Sequence, residues 1–205
     1  MSAPGRLPES VEAADRYGIV AIAASAGGVQ ALSAVLGGLP ADFPVPIVVV
    51  QHLDPRHETI LADILDRRSA LLVTLAEAGV PVSGGTAYLA PPNHHLLVGP
   101  GGVLSLTDTD RTHFVRPSAD QLFESIADVY GPRAIACVLT GTGLDGASGV
   151  RAIKAAGGTV VVEDPEVAEF AGMPSAAVHT GAVDLVVPLS EIAAKLSALV
   201  AVRRT

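Results

Sequence analysis

Three polar residues, Ser25, His52 and Asp145, each come shortly after a different apolar run of the chain. A Ser hydroxyl is a weak nucleophile at neutral pH, an imidazole can accept its proton, and a carboxylate can orient and stabilise the imidazolium that forms. These residue types therefore suit nucleophilic hydrolysis by a Ser-His-Asp triad. Each residue also has an ordinary structural explanation, so the interpretation depends on whether the fold brings the three together.

Ser25 lies in the segment AASAGG, Ala23–Gly28, between an apolar run and a helical pattern. A tight turn from strand to helix projects a Ser hydroxyl above the sheet edge, and Gly27 and Gly28 allow both the turn and the close approach of a substrate. Two alternatives stay open. Ser25 could be a helix N-cap, or the turn could hold an anionic small molecule or nucleotide, although the three spaced glycines of a dinucleotide-binding turn are missing.

His52 follows the apolar run Val45–Val50 and Gln51, and Asp145 lies in the Gly-rich segment Thr140–Gly146. Residues at the carboxyl ends of parallel strands lie on the rim where doubly wound folds bind their ligands. The structural alternatives are a rim histidine bonded to backbone and an aspartate that caps the following helix. If all three loops open on one sheet edge, they form a single candidate site.

The elements that must position these residues alternate along the chain. Apolar runs of strand length, rich in Val and Ile, are typical of parallel strands covered by helices on both faces. They are Tyr17–Ala23, Val45–Val50, Ala134–Leu139 and Thr159–Val162, with Leu72–Leu75 as a weaker candidate. Helical patterns occupy Val29–Leu36, Glu58–Arg68, Asp120–Tyr130, Gly146–Ala156 and Leu189–Val202. This alternation predicts an α/β fold with a doubly wound, mainly parallel sheet flanked by helices.

The middle of the chain predicts a different local structure. Three short apolar segments, Thr86–Ala90, Leu96–Val98 and Val103–Leu106, are separated by Pro, Asn and Gly. They indicate an antiparallel insertion, with a hairpin turn at residues 100–102. Two smaller expectations are a capping box formed by Ser118 and Gln121, and a solvated turn at Glu163 and Asp164.

Length, composition and net charge limit the classes of function that the chain is expected to have. The chain has 205 residues, 49% of them hydrophobic, which suits one compact domain; we expect a flexible leader over residues 1–16 and a single domain over 17–205. A net charge of -8 argues against nucleic acid and anionic membrane surfaces as partners. The uncharged stretch 18–39 is long enough to span a membrane, but its glycines favour a strand, a turn and a helix.

The cysteine and histidine content limits the chemistry further. The single cysteine, Cys137, excludes an intrachain disulfide and is expected to be a buried small hydrophobe. The chain begins without the apolar core of a secretory signal, which favours a cytoplasmic protein. The spacing of the histidines fits no zinc signature, so we expect neither a metal nor another cofactor.

Several segments resemble CheB-type chemotaxis methylesterases, in the same order along the chain. They are Ala23–Gly28, the Gln51-His52 pair, Tyr88–Pro91 followed by His95, Arg116–Asp120, Leu139–Gly146 and Gly172–Pro174. The resemblance runs from about Tyr17 to about Leu196. It implies an esterase with a mainly parallel α/β sheet that hydrolyses glutamate γ-methyl esters on methylated chemoreceptors, in some members with glutamine deamidation.

The resemblance also implies roles for individual residues. Ser25 would be the nucleophile, His52 the general base and acid, and Asp145 the orienting carboxylate. Backbone amides at Ala26 and Thr142 would stabilise the oxyanion. Gly27, Gly28, Arg116 and Met173 are candidates for the substrate cleft, although Arg116 could instead pair with Asp120 and Met173 could serve packing.

The chain departs from the family pattern at four positions. Ala23, Ala26, Thr142 and Val115 stand where a Gly, a Thr, a Met and a His are usual. These changes motivate an alternative, a catalytically weakened binding module in a chemosensory-like pathway. Many family members carry an N-terminal receiver domain, for which the segment before Tyr17 is too short. The chain is therefore expected to be either a free-standing esterase or a fragment.

Overall fold

The main sheet has seven strands, all paired in parallel, in a computed structural model that describes residues 17–52 and 59–201. The predicted leader, residues 1–16, lies outside these ranges. The strands are β1 Ile19–Ala24, β2 Ile47–Gln51, β3 Leu72–Leu75, β4 Thr86–Leu89, β7 Ala134–Val138, β8 Thr159–Glu163 and β9 Leu185–Val187. Their spatial order is β3-β4-β2-β1-β7-β8-β9.

Six helices cover the two faces of this sheet. They are α1 Gly28–Gly37, α2 Leu61–Asp66, α3 Ala119–Tyr130, α4 Ala147–Ala155, α5 Gly172–His179 and α6 Leu189–Ala201. Alternate residues of β1 face opposite sides: Val20 and Ile22 pack in the core beneath α1, α2 and α6, while Ile19 and Ala21 pack beneath α3, α4 and α5. Burial on both faces explains why the central strands are continuously apolar, and it confirms the predicted doubly wound α/β class.

A separate two-stranded antiparallel sheet packs on the α3 face, with strands β5 His95–Gly99 and β6 Val103–Thr107. It is the predicted hairpin, and its turn at residues 100–102 forms one short 3-10 turn. The prediction was wrong for Thr86–Leu89. That strand joins the main sheet and pairs in parallel with β2 and β3.

Two further elements were not predicted, α5 and β9. Helix α5 includes Pro174 in its first turn, where a missing N–H costs no helical hydrogen bond, and β9 has only three residues.

The second helix is shorter than the predicted Glu58–Arg68, and Glu58 itself lies outside the described residues. No helix in the described part of the chain is long and apolar enough to cross a membrane.

Candidate active site

The three candidate residues follow strands that are neighbours in the sheet. Strand β1 lies between β2 and β7. Strands β2 to β4 lie on one side of β1 and strands β7 to β9 on the other, which makes the carboxyl end of β1 the topological switch point. Ala24 is in register with Gln51, so Ser25 and His52 leave adjacent strand ends side by side. The N–H of His52 donates to Ala24 O at 3.1 Å, and that of Ser25 donates to Thr140 O at 3.0 Å.

The turn that carries Ser25 is fixed by the side chain of Gln51. Gln51 Nε2 donates to Ser25 O at 2.8 Å and to His52 O at 3.0 Å. The other end of this amide lies against Gly28, where a Cβ atom would stand 1.9 Å from Gln51 Oε1. Gly28 is therefore required for the close packing of the turn on Gln51, and it is itself buried.

His52 and Asp145 are in direct contact. The ring Nε2 of His52 lies 2.8 Å from Asp145 Oδ2, with the two side chains only 13% and 3% exposed. An ionised carboxylate accepts hydrogen bonds, so Nε2 carries the proton and Nδ1 is left as the basic nitrogen of a neutral ring. No hydrogen bond joins the Ser25 hydroxyl to the His52 ring; both residues lie within the described ranges. Such catalytic bonds often form only when substrate binds.

Asp145 is held by the first turn of α3. Ser118 Oγ donates to its Oδ1 at 2.7 Å, and the N–H groups of Ala119 and Asp120 donate to its carboxylate at 2.6 and 3.2 Å. Burial alone would raise the pKa of this carboxyl. The hydrogen bonds from His52, Ala119 and Ser118 outweigh that effect and hold the pKa below its usual value. Asp145 is therefore ionised at neutral pH.

These contacts correct two expectations about caps. The Ser118 hydroxyl does not cap its own helix, because it donates to Asp145, and the side chain of Gln121 donates to Thr112 Oγ1 at 2.8 Å. Asp145 does not cap α4, which begins after Gly146 with no side-chain cap. It occupies the capping position of α3 instead, from a loop that follows α3 along the chain. The sequence contains no local pattern that would reveal this contact.

Glu163 corrects a third expectation. It is not part of a solvated turn but is 2% exposed, and it accepts the Thr140 N–H at 2.7 Å. Burial raises the pKa of Glu163, the Thr140 N–H partly offsets this, and the charge of Glu169 raises it again. Because Thr140 also accepts the Ser25 N–H and donates its hydroxyl to Ala26 O, Glu163 supports the turn that carries Ser25.

Ala26 follows Ser25 in the turn after β1, and Thr142 follows Gly141 in the loop that packs against Ser25. Among the residues that the structure describes, neither backbone N–H has a hydrogen-bond acceptor, so both are available to a bound anion. Gly27 has a left-handed φ of 75°, and Gly141 packs tightly between Met173 Sδ and Ser25 Cβ. Met173 is itself buried beneath this loop.

Arg116 is occupied by protein groups. Its guanidinium donates to Asn93 Oδ1 at 2.8 and 3.2 Å and to the backbone oxygen of Thr109 at 2.8 Å, with a further bond to Asp108 O. It does not pair with Asp120, which lies 3.1 Å from His113 Nε2 instead. Burial and the nearby charge of Asp145 raise the pKa of Asp120 against the opposing bond from the Gly149 N–H.

Comparison with known proteins gives a consistent result. The family model described as CheB methylesterase matches residues 20–196. The chain belongs to the CheB methylesterase family. Membership confirms the expected enzyme class, a carboxylic-ester hydrolase. A crystal structure of the Thermotoga maritima CheB methylesterase catalytic domain superposes with a TM-score of 0.87 and 40% identity, over 90% of this chain and 99% of that one.

Curated relatives of this CheB-family chain carry methylesterase names. A putative protein-glutamate methylesterase/protein-glutamine glutaminase from Leptospira interrogans is 40% identical over 177 residues, 86% of this chain and 92% of that protein. The protein-glutamate methylesterase FrzG of Myxococcus xanthus is 43% identical over 88% of this chain and 54% of its own length. An Anaeromyxobacter dehalogenans relative, protein-glutamate methylesterase/protein-glutamine glutaminase 2, is 46% identical over 87% of this chain and 52% of its own length.

Proposed function

We propose that the chain is a cytoplasmic enzyme of a chemosensory pathway. It hydrolyses glutamate γ-methyl esters on methyl-accepting chemoreceptors through Ser25, His52 and Asp145. The contact between His52 Nε2 and the ionised Asp145 at 2.8 Å carries the proposal. It leaves Nδ1 of a neutral ring as the base, beside the strand end that presents Ser25. The names of the curated relatives support the glutamyl ester as substrate, and the same site would serve glutamine deamidation.

The chemistry proceeds in two halves. Ser25 Oγ attacks the ester carbonyl carbon while its proton passes to His52 Nδ1, and collapse of the tetrahedral adduct transfers that proton to the departing methoxide, which leaves as methanol. Water then attacks the acyl-serine while His52 accepts its proton, and His52 returns that proton to Ser25 Oγ as the bond between Oγ and the acyl carbon breaks. The glutamic acid that forms loses its own proton to solvent. The products are a glutamate carboxylate and the free Ser25 hydroxyl. Asp145 stays ionised throughout and stabilises the imidazolium.

Negative charge develops on the carbonyl oxygen in both halves. The N–H groups of Ala26 and Thr142 are the proposed donors, since neither has an acceptor in the described part of the chain. Because these donors belong to the backbone, the family departures at positions 26 and 142 preserve them. Loss of one such donor typically lowers the rate by about 10²–10³-fold.

The test is methanol release from a methyl-labelled chemoreceptor by the wild type and by Ser25→Ala. We expect release by the wild type and a rate at least about 10³-fold lower for the variant. Ser197→Ala, on α6 away from the site, is the matched control and should behave as wild type. Turnover by Ser25→Ala close to that of the wild type would exclude Ser25 as nucleophile. Receptor binding without turnover by the wild type would favour the binding-module alternative.

A further inference from the structure

A groove between α4 and α5 adjoins the loop that carries Thr142 and Asp145. One wall is a stripe of α4, residues Ala147, Ser148 and Arg151, and the other is a stripe of α5. The α5 stripe consists of Gly172, Ser175, Ala176 and His179, at the spacing of one helix face. The groove has a volume of about 440 Å³, and Leu144 and His113 also line it.

The groove connects directly to the candidate active site. Leu144 immediately precedes Asp145 and is 63% exposed. Gly172 packs against the same loop so closely that a Cβ atom on it would stand 2.9 Å from Gly141 O and 3.0 Å from Gly143 N. A protein segment that delivers a side chain to Ser25 therefore has this groove as a neighbouring contact surface.

The charge of the groove is opposite to that of the whole protein. None of its nine lining residues is acidic, although the chain carries a net charge of -8. Arg151 has no hydrogen-bond or ion-pair partner among residues 17–52 and 59–201, so its guanidinium is available for a bidentate contact with a carboxylate. His179 donates its Nδ1–H to Ser175 O at 2.6 Å, which leaves Nε2 for a ligand.

An adjoining cavity carries acidic side chains, unlike the groove. It shares His113 and Ser148 with the groove, but its walls carry the carboxyl groups of Asp120, Glu124 and Asp128. An acidic side chain is repelled there and attracted to Arg151, so the charges favour one of the two cavities for a carboxylate.

We infer that the α4–α5 groove binds carboxylate side chains that flank the esterified glutamate on the substrate protein, with Arg151 as the main charge partner. This inference rests on the proposed function for the identity of the substrate. Segments that contain a glutamate destined for demethylation also carry carboxylates after each turnover. Contacts remote from the reacting ester determine which protein segment is processed, and a small neutral ester does not use them.

The experiment measures binding and turnover separately. In the inactive Ser25→Ala background, we compare the Kd for a chemoreceptor cytoplasmic fragment after Arg151→Glu and after Lys195→Glu. Lys195 is exposed on α6, outside the groove, and gives the same change in charge. We expect Arg151→Glu to weaken binding at least about tenfold at low salt, with the difference shrinking at high salt, and Lys195→Glu to change Kd less than twofold.

In the Ser25-containing protein, Arg151→Glu should leave hydrolysis of a small neutral ester unchanged. Equal Kd values for the two charge reversals would overturn the inference, and so would loss of small-ester turnover by Arg151→Glu, because the damage would then lie in the site itself. Failure of the proposed function has a different signature. The wild type would release no methanol, while Arg151-dependent binding would still support the groove.

Discussion

Gly28 lies directly against the side chain of Gln51, and a Cβ atom on Gly28 would stand 1.9 Å from Gln51 Oε1. The same Gln51 side chain bonds the carbonyl oxygen of Ser25 at 2.8 Å. The packing of one glycine in α1 thus fixes the backbone on which the candidate nucleophile stands.

Gly28→Ala is expected to damage both stability and activity. The added methyl group must displace Gln51, and overpacking of this kind costs about 1–3 kcal/mol. Because Gln51 would lose its bond to Ser25, small-ester turnover should fall by at least about tenfold. Urea unfolding and ester hydrolysis measure the two effects.

The matched control for this substitution is Gly99→Ala. Gly99 has a φ of -93°, which any residue adopts, and an added Cβ would stand 3.5 Å from Val103 O, an ordinary contact. We expect near wild-type stability and turnover. Equal behaviour of the two alanine variants would contradict the role assigned to the contact between Gly28 and Gln51.

Ser118→Ala removes a buried hydrogen bond to Asp145 without touching His52. The bond spans 2.7 Å and its acceptor is ionised, so its loss is expected to cost about 2 kcal/mol at neutral pH. The lowered pKa of Asp145 stabilises the fold above the ordinary carboxyl range, and this stabilisation is lost as pH falls through the folded-state pKa. The difference between wild type and variant should therefore shrink in acid.

Urea unfolding between pH 7 and pH 3 tests this dependence. Ser105→Ala, in the half-exposed part of β6, is the control and should cost little at any pH. A penalty for Ser118→Ala that stays constant over the whole range would show that the hydroxyl serves packing and not the ionised carboxylate.

Glu163→Gln is expected to stabilise the protein at neutral pH. Burial raises the pKa of Glu163, so the folded state binds a proton more readily than the unfolded state, and stability falls as pH rises from the ordinary carboxyl pKa through the raised one. A glutamine has no charge to bury, and its Oε1 can still accept the Thr140 N–H. Small-ester turnover should remain close to wild type.

Measuring the free energy of unfolding at pH 7 and at pH 4 distinguishes removal of the buried charge from a gain in stability that is independent of pH. The advantage of Glu163→Gln should be present at pH 7 and decline towards pH 4. Asp42→Asn, at an exposed carboxylate, should show no such change. A destabilised variant at neutral pH would mean that the charge on Glu163 strengthens the Thr140 contact more than burial opposes it.

The central strands were predictable because burial on both faces makes them continuously apolar, as in Ile19–Ala24 and Ala134–Val138. Strand β9, Leu185–Val187, is also apolar, but its three residues are too few to stand out as a run of strand length. The parallel pairing of Thr86–Leu89 could not be read from its neighbours in sequence, because its partners β2 and β3 are fixed by tertiary packing.

Some features of the candidate site were likewise predictable from the sequence, and others were not. The meeting of Ser25 and His52 at one sheet edge was predictable from their positions after apolar strands, since the ends of adjacent parallel strands lie side by side. The contacts of Ser118 and Glu163 were not predictable, because each joins segments that are 23 or more residues apart. Side chains of ordinary type in such segments carry no local pattern that reveals their partner.

The carboxylate of Asp145 caps the N-terminus of α3 and holds the candidate catalytic imidazole at the same time. Its bonds to the N–H groups of Ala119 and Asp120 form only while the first turn of α3 is closed. Fraying of that turn therefore releases the group that holds the His52 ring, and under the proposed mechanism the open form is inactive. Hydrogen exchange at the Ala119 amide reports how often the turn opens, without any substrate being added.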